Sequence, residues 1–180
     1  MENNELITVN GMDFQVKRLL GKGKGGYSFL ASDGGQDYVI KQIHHEPCAY
    51  YQFDNKLNSE MRDYKRLKEI GIPMPDLLAV DLEQERILKE YIAGKTVFDL
   101  VLDKKNKPAY LQQMKEMTRL LYPAGLNIDY FPTNFVVRED RLFYIDFECN
   151  PYMEKWNFEN WGQAYWSQTA EFLEYVKAHS

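Results

Sequence analysis

The run Gly21-Lys22-Gly23-Lys24-Gly25-Gly26 constrains this chain more than any other feature. Glycine opens backbone conformations closed to other residues and lets bare N–H groups come close to an anion such as phosphate. Gly21, Gly23 and Gly26 fit the spacing GxGxxG. The surroundings narrow the reading. Phe14 to Leu20 before the run and Tyr27 to Ala31 after it both have strand character, so the loop joins strand to strand. A dinucleotide-binding fold would send it from strand into helix. Taken alone, the run also suits a flexible hairpin loop.

Asp33-Gly34-Gly35 is a hairpin signal, and Tyr38 to Ile43 makes a third strand rich in β-branched and aromatic residues. Strand alternation puts Lys41 on the face of Val39 and Ile43. A lysine on an apolar face wants an anion, unless it snorkels from a sheet edge to water. The spacing of Leu57, Met61, Tyr64 and Leu67 predicts a helix over Asp54 to Ile70, stopped by Gly71 and Pro73. Glu60 lies on or beside that stripe, where a carboxylate needs a partner. It is the anion expected for Lys41. Glu46 is a rival, and a solvated Glu60 flanking the stripe is the bland alternative.

A second hairpin is expected from Leu77 to Asp81 with Glu85 to Tyr91, and Ala93-Gly94 marks a break. Beyond it, Thr96 to Leu102, Pro108 to Tyr122 and Trp161 to Ala178 read as helices. Phe135 to Val137 and Leu142 to Ile145 read as short strands. A β-rich first part with one helix, then a mostly helical second part, gives an α+β class.

Two segments of the second part carry carboxylates suited to chemistry. In Asn127-Ile128-Asp129-Tyr130-Phe131-Pro132-Thr133-Asn134, Asp129 and Asn134 share a loop between a helix and a strand. Such a loop can hold a carboxylate near a hydroxyl and an amide oxygen near a metal ion, although Asp and Asn are also ordinary turn residues. In Tyr144-Ile145-Asp146-Phe147-Glu148, Asp146 ends an apolar strand. It suits a Mg²⁺ ion, which takes one or two carboxylates with phosphate oxygens and water; a strand-ending turn cap is the alternative.

Composition excludes several classes. Asp and Glu number 27 against 22 Lys and Arg, a net charge of −5, with no basic run. That argues against nucleic acid as the main partner. No apolar run approaches the roughly 20 residues of a membrane span. The polar start is unlike a signal peptide. Cys48 and Cys149 form no metal or CxxC pattern and read as reduced thiols. A cytoplasmic protein is expected. The tail gathers Trp156, Phe158, Trp161, Tyr165 and Trp166. These are expected to complete a core in the second part, with a partner surface as the alternative. His44 and His45 read as polar residues after the third strand.

The order of these features resembles the protein-kinase-like superfamily. Leu20 to Gly26 resembles its glycine-rich loop, Val39-Ile40-Lys41 its Val-Ala-Ile-Lys strand, and Glu60 its helix glutamate. Glu90-Tyr91-Ile92-Ala93-Gly94 looks like the hinge. Asp129-Tyr130-Phe131-Pro132-Thr133-Asn134 is similar to the catalytic loop Asp-Leu-x-Pro-x-Asn, and Asp146-Phe147 to the start of Asp-Phe-Gly. The resemblance covers about residues 14 to 148. It is similar to minimal atypical kinases: RIO-type, small tRNA-modification-associated, lipopolysaccharide-kinase-type and aminoglycoside-phosphotransferase-like proteins.

The resemblance implies a bilobal fold over 1–180: an antiparallel-sheet N-lobe with one helix, about 1–91, and a truncated, mainly helical C-lobe, about 92–180. It implies ATP and Mg²⁺ as cofactors, bound between the lobes. Asp129 would be the catalytic base, and Asn134 and Asp146 the metal ligands. Lys41, held by Glu60, would meet the α- and β-phosphates. Leu20, Gly21, Gly23, Gly26 and Val39 would line the nucleotide, with the main chain of Glu90 and Ile92 on the adenine. The activity implied is transfer of the γ-phosphoryl group to a hydroxyl, foremost a protein Ser or Thr. A catalytically weak nucleotide-binding scaffold and a small-molecule kinase remain open alternatives.

The chain also departs from the pattern. Asn127-Ile128-Asp129 replaces His-Arg-Asp, Glu148 replaces the glycine of Asp-Phe-Gly, and Ser28 stands where a valine usually covers adenine. Lys89 falls at an expected apolar gatekeeper position, which leaves the hinge register open by one residue. Only 34 residues follow Asp146, too few for an activation segment and the usual substrate platform.

Overall fold

Alternating side chains build the first half. The computed structural model describes residues 5–46 and 55–180. Asp54, expected to start the helix, and Cys48 lie outside the described residues. Four strands come first: β1 (Leu6–Val9), β2 (Met12–Lys22), β3 (Gly26–Ser32) and β4 (Asp37–Ile43). Helix α1 (Lys56–Ile70) follows, then β5 (Leu77–Asp81) and β6 (Arg86–Glu90). The six strands form one antiparallel sheet in the order β1-β2-β3-β4-β6-β5.

One face of this sheet buries Ile7, Val9, Phe14, Val16, Phe29, Ala31, Ile40 and Leu88 as a single cluster. The sheet curls. The backbone N–H of Asn10, after β1, donates to Asp81 at 2.7 Å, and Arg86 donates to the Thr8 carbonyl at 2.6 Å, so the first strand meets the last two. The β3–β4 turn works as its residues suggest. Gly34 takes φ +96°, and the Asp33 carboxylate accepts the N–H groups of Gly35 and Gln36 at 2.9 Å.

Asn55 starts α1 by accepting from the Asn58 N–H at 3.2 Å. Gly71, at φ +93°, stops it, with the Ile72 N–H bonded back to the Leu67 carbonyl. Leu57 and Leu67 are buried.

The second half alternates short strands and helices: β7 (Lys95–Thr96), α2 (Val97–Leu102), α3 (Pro108–Leu121), β8 (Leu126–Ile128), β9 (Phe135–Arg138), β10 (Arg141–Tyr144), β11 (Cys149–Pro151) and α4 (Ala170–Ala178). Strands β10, β9 and β7 form one small sheet, and β11 pairs with β8. Thr96 caps α2 by accepting from the Asp99 N–H. Met114, Met117 and Leu121 give α3 its buried stripe.

The α+β class stands: a first unit built on an antiparallel sheet, and a second unit of helices with short paired strands. The compact units are 1–61 with 75–91, and 62–74 with 92–180, so the residues of α1 fall partly in each. None of the described helices is long and apolar enough to cross a membrane.

The expected helix from Trp161 to Ala178 is corrected. Residues Gly162–Tyr165 form a 3₁₀ turn, and only Ala170–Ala178 is α-helical. Two local causes break it. A Cβ at Gly162 would collide with the Cβ of Tyr130, so this glycine sits in close packing rather than on a helix face. Thr169 then caps α4, accepting from the Phe172 N–H at 3.1 Å. The tail aromatics divide. Phe158, Trp166 and Phe172 are core, while Trp156 is 46% exposed.

Candidate functional site

The first unit holds the lysine, its glutamate and the glycine loop. On β4, Lys41 lies opposite Ser28 of β3 and Ile87 of β6, on the sheet face away from Ile40. Its ammonium donates to Glu60 Oε1 on the second turn of α1. The two side chains are only 14% and 10% exposed, so this is a largely desolvated ion pair. The other glutamate oxygen, Oε2, is buried without a hydrogen-bond partner. Glu46 is engaged elsewhere, with Lys22 at 2.7 Å and with the Tyr27 hydroxyl.

The glycine loop is tied down by its carbonyls. The Gly23 N–H donates to the Gly26 carbonyl at 2.9 Å, and the His44 N–H to the Gly25 carbonyl at 3.2 Å. The His44 ring meets the Gly23 carbonyl at 3.0 Å, and Lys56 reaches the carbonyls of Lys24 and His44. The negative ends of four consecutive peptides, 23 to 26, are thereby engaged within the unit, a favourable bias where an anion is to approach. His44, read from sequence as merely polar, is part of this scaffold, and His45 meets Glu85 at 2.6 Å.

Only one glycine here is demanded by close approach: a Cβ at Gly26 would strike the Gln42 carbonyl, whereas none at Gly21 would meet anything within 4 Å. A Cβ at Gly25 would lie 3.9 Å from Lys41 Nζ, so the ammonium sits beside the loop. Val39 is buried on the face of Lys41, and Leu20 is 36% exposed. The register pairs Val39 with Lys89, placing that buried lysine on the same face. Glu90 ends β6, its N–H donating to the Asp76 carbonyl and its carboxylate accepting from the Asp76 N–H.

The second unit holds the other candidates. Ile92 is buried with Val136 and Phe143, so its side chain is core. Strand β8 leads straight into Asp129, whose Oδ1 accepts the Phe131 N–H at 3.1 Å. A 3₁₀ turn, Pro132–Asn134, then brings Asn134 back. Its Nδ2 donates to the Asp129 carbonyl at 3.4 Å, and its own carbonyl accepts the Ile145 N–H at 2.9 Å. The next residue, Asp146, receives the Phe147 N–H on Oδ1 at 2.8 Å. Loop, turn and strand end thus gather Asp129, Asn134 and Asp146. The Asn134 amide is turned so that its nitrogen, and not its oxygen, meets the loop backbone.

Four residues build this region: Tyr144 and Asp63, which sequence reasoning did not single out, and Asn127 and Trp166, which it read as a departure from the kinase pattern and as core. Tyr144 is fully buried, and its hydroxyl donates to the Glu148 carbonyl at 2.8 Å. Burial, with the carboxylates of Asp146, Asp129 and Glu148 nearby, holds that phenol well above the usual tyrosine range. Asn127, at the position of the catalytic histidine in the kinase pattern, is a fastener: Nδ2 donates to the Met153 carbonyl at 3.0 Å and Oδ1 accepts the Tyr130 hydroxyl at 3.1 Å. Trp166 Nε1 donates to the Tyr130 carbonyl at 2.9 Å. Asp63, one helical turn beyond Glu60, accepts the Cys149 N–H at 3.3 Å. Its position beside Met61 and Tyr64 is the signal that could have found it, by the reasoning that found Glu60.

Among the described residues no three His, Cys, Asp or Glu side chains group as a metal site. The oxygen set of Asp146 and Asn134 is one carboxylate and one amide. It suits a hard cation that draws its remaining ligands from water and phosphate.

No model of a known protein family matches the chain. Over 124 residues it is 33% identical to the KEOPS complex subunit Bud32 of Pyrococcus abyssi, a match spanning 62% of this chain and 56% of that protein. The chain thus spans about half the length of the curated relative it matches. The similarity supports a kinase-like protein at the level of the superfamily.

Proposed function

We propose that this chain is a minimal kinase-like phosphotransferase that moves the γ-phosphoryl group of Mg-ATP to a hydroxyl, with a protein Ser or Thr as acceptor. The observation that carries the reading is the gathering of Asp129, Asn134 and Asp146 in one unit. The Lys41–Glu60 pair beside the glycine loop supports it. A protein acceptor is in keeping with likeness to a subunit of a complex.

Asp146 and Asn134 are the residues that would hold magnesium, and their hard-oxygen donors fit it. Bound with ATP, the ion supplies charge neutralisation across the phosphate oxygens. Asp129 orients the acceptor hydroxyl and takes its proton as the acceptor oxygen bonds to phosphorus and the bond to ADP breaks. Lys41 offsets charge on the α- and β-phosphates, and Glu60 holds it in place. Gly21, Gly23 and Gly26 offer backbone room, Leu20 and Val39 apolar contact, and the main chain of Glu90 and Ile92 adenine recognition.

A second reading, a nucleotide-binding scaffold with little turnover, is favoured by Glu148. This residue replaces a flexible glycine, and its carbonyl is tied down by Tyr144.

The test is Mg²⁺-dependent transfer from γ-labelled ATP to the chain itself and to a panel of Ser- and Thr-containing proteins. Asp129→Ala should lower transfer at least about a hundredfold, the scale of a lost general base. Equal transfer by the variant would remove Asp129 from the chemistry. Nucleotide binding without transfer by the wild type would establish the scaffold reading instead.

A further inference from the structure

Tyr144, two residues before Asp146, carries a phenol that is fully buried. Strand β10 carries Tyr144 opposite Phe135 of β9, and the two rings lie 5.2 Å apart, centroid to centroid. Phe135 is in turn packed against Trp166 at 5.1 Å. The ring of Tyr144 is therefore fixed by core contacts, and its one polar atom is aimed by the strand rather than by solvent. That atom donates to the carbonyl of Glu148 at 2.8 Å. Phenylalanine at this position would keep the packing and lose that bond.

Glu148 is two residues beyond Asp146, and its carbonyl is an anchor for the turn that follows the strand end. The peptide chain between Asp146 and Glu148 is further held by Phe147, which is buried against Tyr64 at 4.5 Å. We infer that the Tyr144 hydroxyl is a positioning group for the proposed phosphoryl-transfer site, fixing the backbone of the metal-ligand segment Asp146–Glu148 to the end of strand β10. The inference rests on the phosphotransferase reading and deepens it. In a chain with glutamate at the position of the flexible glycine, this strut keeps the metal-ligand segment in a single arrangement without a separate activating event.

The test compares Tyr144→Phe with wild type and with Tyr110→Phe. Tyr110 is a buried residue of the same unit whose hydroxyl bonds to Asp140 at 2.7 Å, outside the proposed site. Two quantities are read. The first is the Mg²⁺ concentration giving half-maximal binding of a fluorescent ATP analogue. The second is amide hydrogen exchange at residues 147–149. Tyr144→Phe should raise the Mg²⁺ requirement roughly tenfold, the scale on which losing a partner behind a metal ligand acts. Exchange should quicken at this backbone segment while the rest of the unit stays protected. Tyr110→Phe should leave both readings within about twofold of wild type, as expected for a site without contact to the ligand segments.

A Tyr144→Phe protein that titrates Mg²⁺ as wild type does overturns the positioning role. So does an equal shift in Tyr110→Phe, which would mark a general loss of stability. A wild-type chain with no Mg²⁺-dependent nucleotide binding overturns the phosphotransferase reading itself, and this role for Tyr144 with it. The two failures are thus told apart by the wild-type titration.

Discussion

At the scale of single residues, the ion pair of Lys41 and Glu60 shows what a functional constraint costs. Both side chains are close to fully desolvated, and Glu60 Oε2 is buried without a partner. Removing two charges from water is repaid only when geometry and hydrogen bonds are complete. A pair with an orphaned oxygen is therefore expected to be a poor stabiliser and to persist for another reason. Lys41→Met should destabilise the chain by about 3 kcal/mol, because it leaves a buried carboxylate alone. Lys41→Met with Glu60→Leu should recover more than half of that loss, because it removes the uncompensated charge. Denaturant midpoints of the wild type, the single and the double variant measure it. A double variant no more stable than Lys41→Met would mean that the pair is itself a net stabiliser. Both variants should lose Mg-ATP affinity, so stability and binding would move apart in the double variant.

At the scale of elements, the segment after β10 is secured from a helix. Asp63 on α1 accepts the Cys149 N–H at 3.3 Å, and burial, with that carboxylate close by, pushes the Cys149 thiol up to about 12 from an ordinary 9. A raised folded-state pKa means that the neutral thiol is favoured in the native state. Stability from this source is complete below about pH 9 and drains away as pH rises towards 12, because only the unfolded chain ionises in that window. Between pH 8 and 10 the wild type should lose about 1.4 kcal/mol more than Cys149→Ala, one proton's worth over one pH unit beyond the unfolded pKa. Urea unfolding at the two pH values checks it, and parallel losses would show that the thiol titrates normally in the folded protein.

Elements also differ in how legible they were. Strands β2 to β6 announce themselves through alternation and Gly-rich turns, and α1 through its apolar period and Gly71. The candidate site residues on them could be named because each chemistry-bearing side chain interrupts an apolar pattern, as Lys41 does between Ile40 and Ile43. Strands β7, β8 and β11 have two or three residues each, too short to show a period. The pairing of β11 with β8 joins Cys149 to Ile128, a long-range contact that no local pattern encodes. The helix expected over Trp161 to Ala178 failed where a tertiary contact, Gly162 against Tyr130, outweighed helical periodicity. Tyr144 escaped notice for the opposite reason: in Leu142-Phe143-Tyr144-Ile145 it reads as one more apolar strand residue, and only the fold reveals what its hydroxyl touches.

At the scale of the whole molecule, charge sets which phosphates the chain can hold. Its net charge is −5, yet Lys22, Lys24, Lys41 and Lys56 cluster around the glycine loop. Lys22 is paired with Glu46 and Lys41 with Glu60, so much of this positive charge is already balanced locally. A polyanion such as RNA needs a row of cations along several phosphates, and its affinity falls steeply with salt as counterions are released. A compact anion such as a nucleotide triphosphate needs only a focused site inside an acidic background. Mg-ATP binding should therefore survive a change from 50 to 200 mM salt with about a threefold loss or less, whereas a polyanion held by six or more phosphate contacts would lose about a thousandfold. Titrations of a fluorescent ATP analogue and of a labelled single-stranded RNA at both salts decide it. Weak RNA binding at either salt with persistent nucleotide binding is the expected outcome. Tight, salt-sensitive RNA binding would show that lysines of the loop act on a polymer, and would overturn the assignment of the glycine loop to a nucleotide.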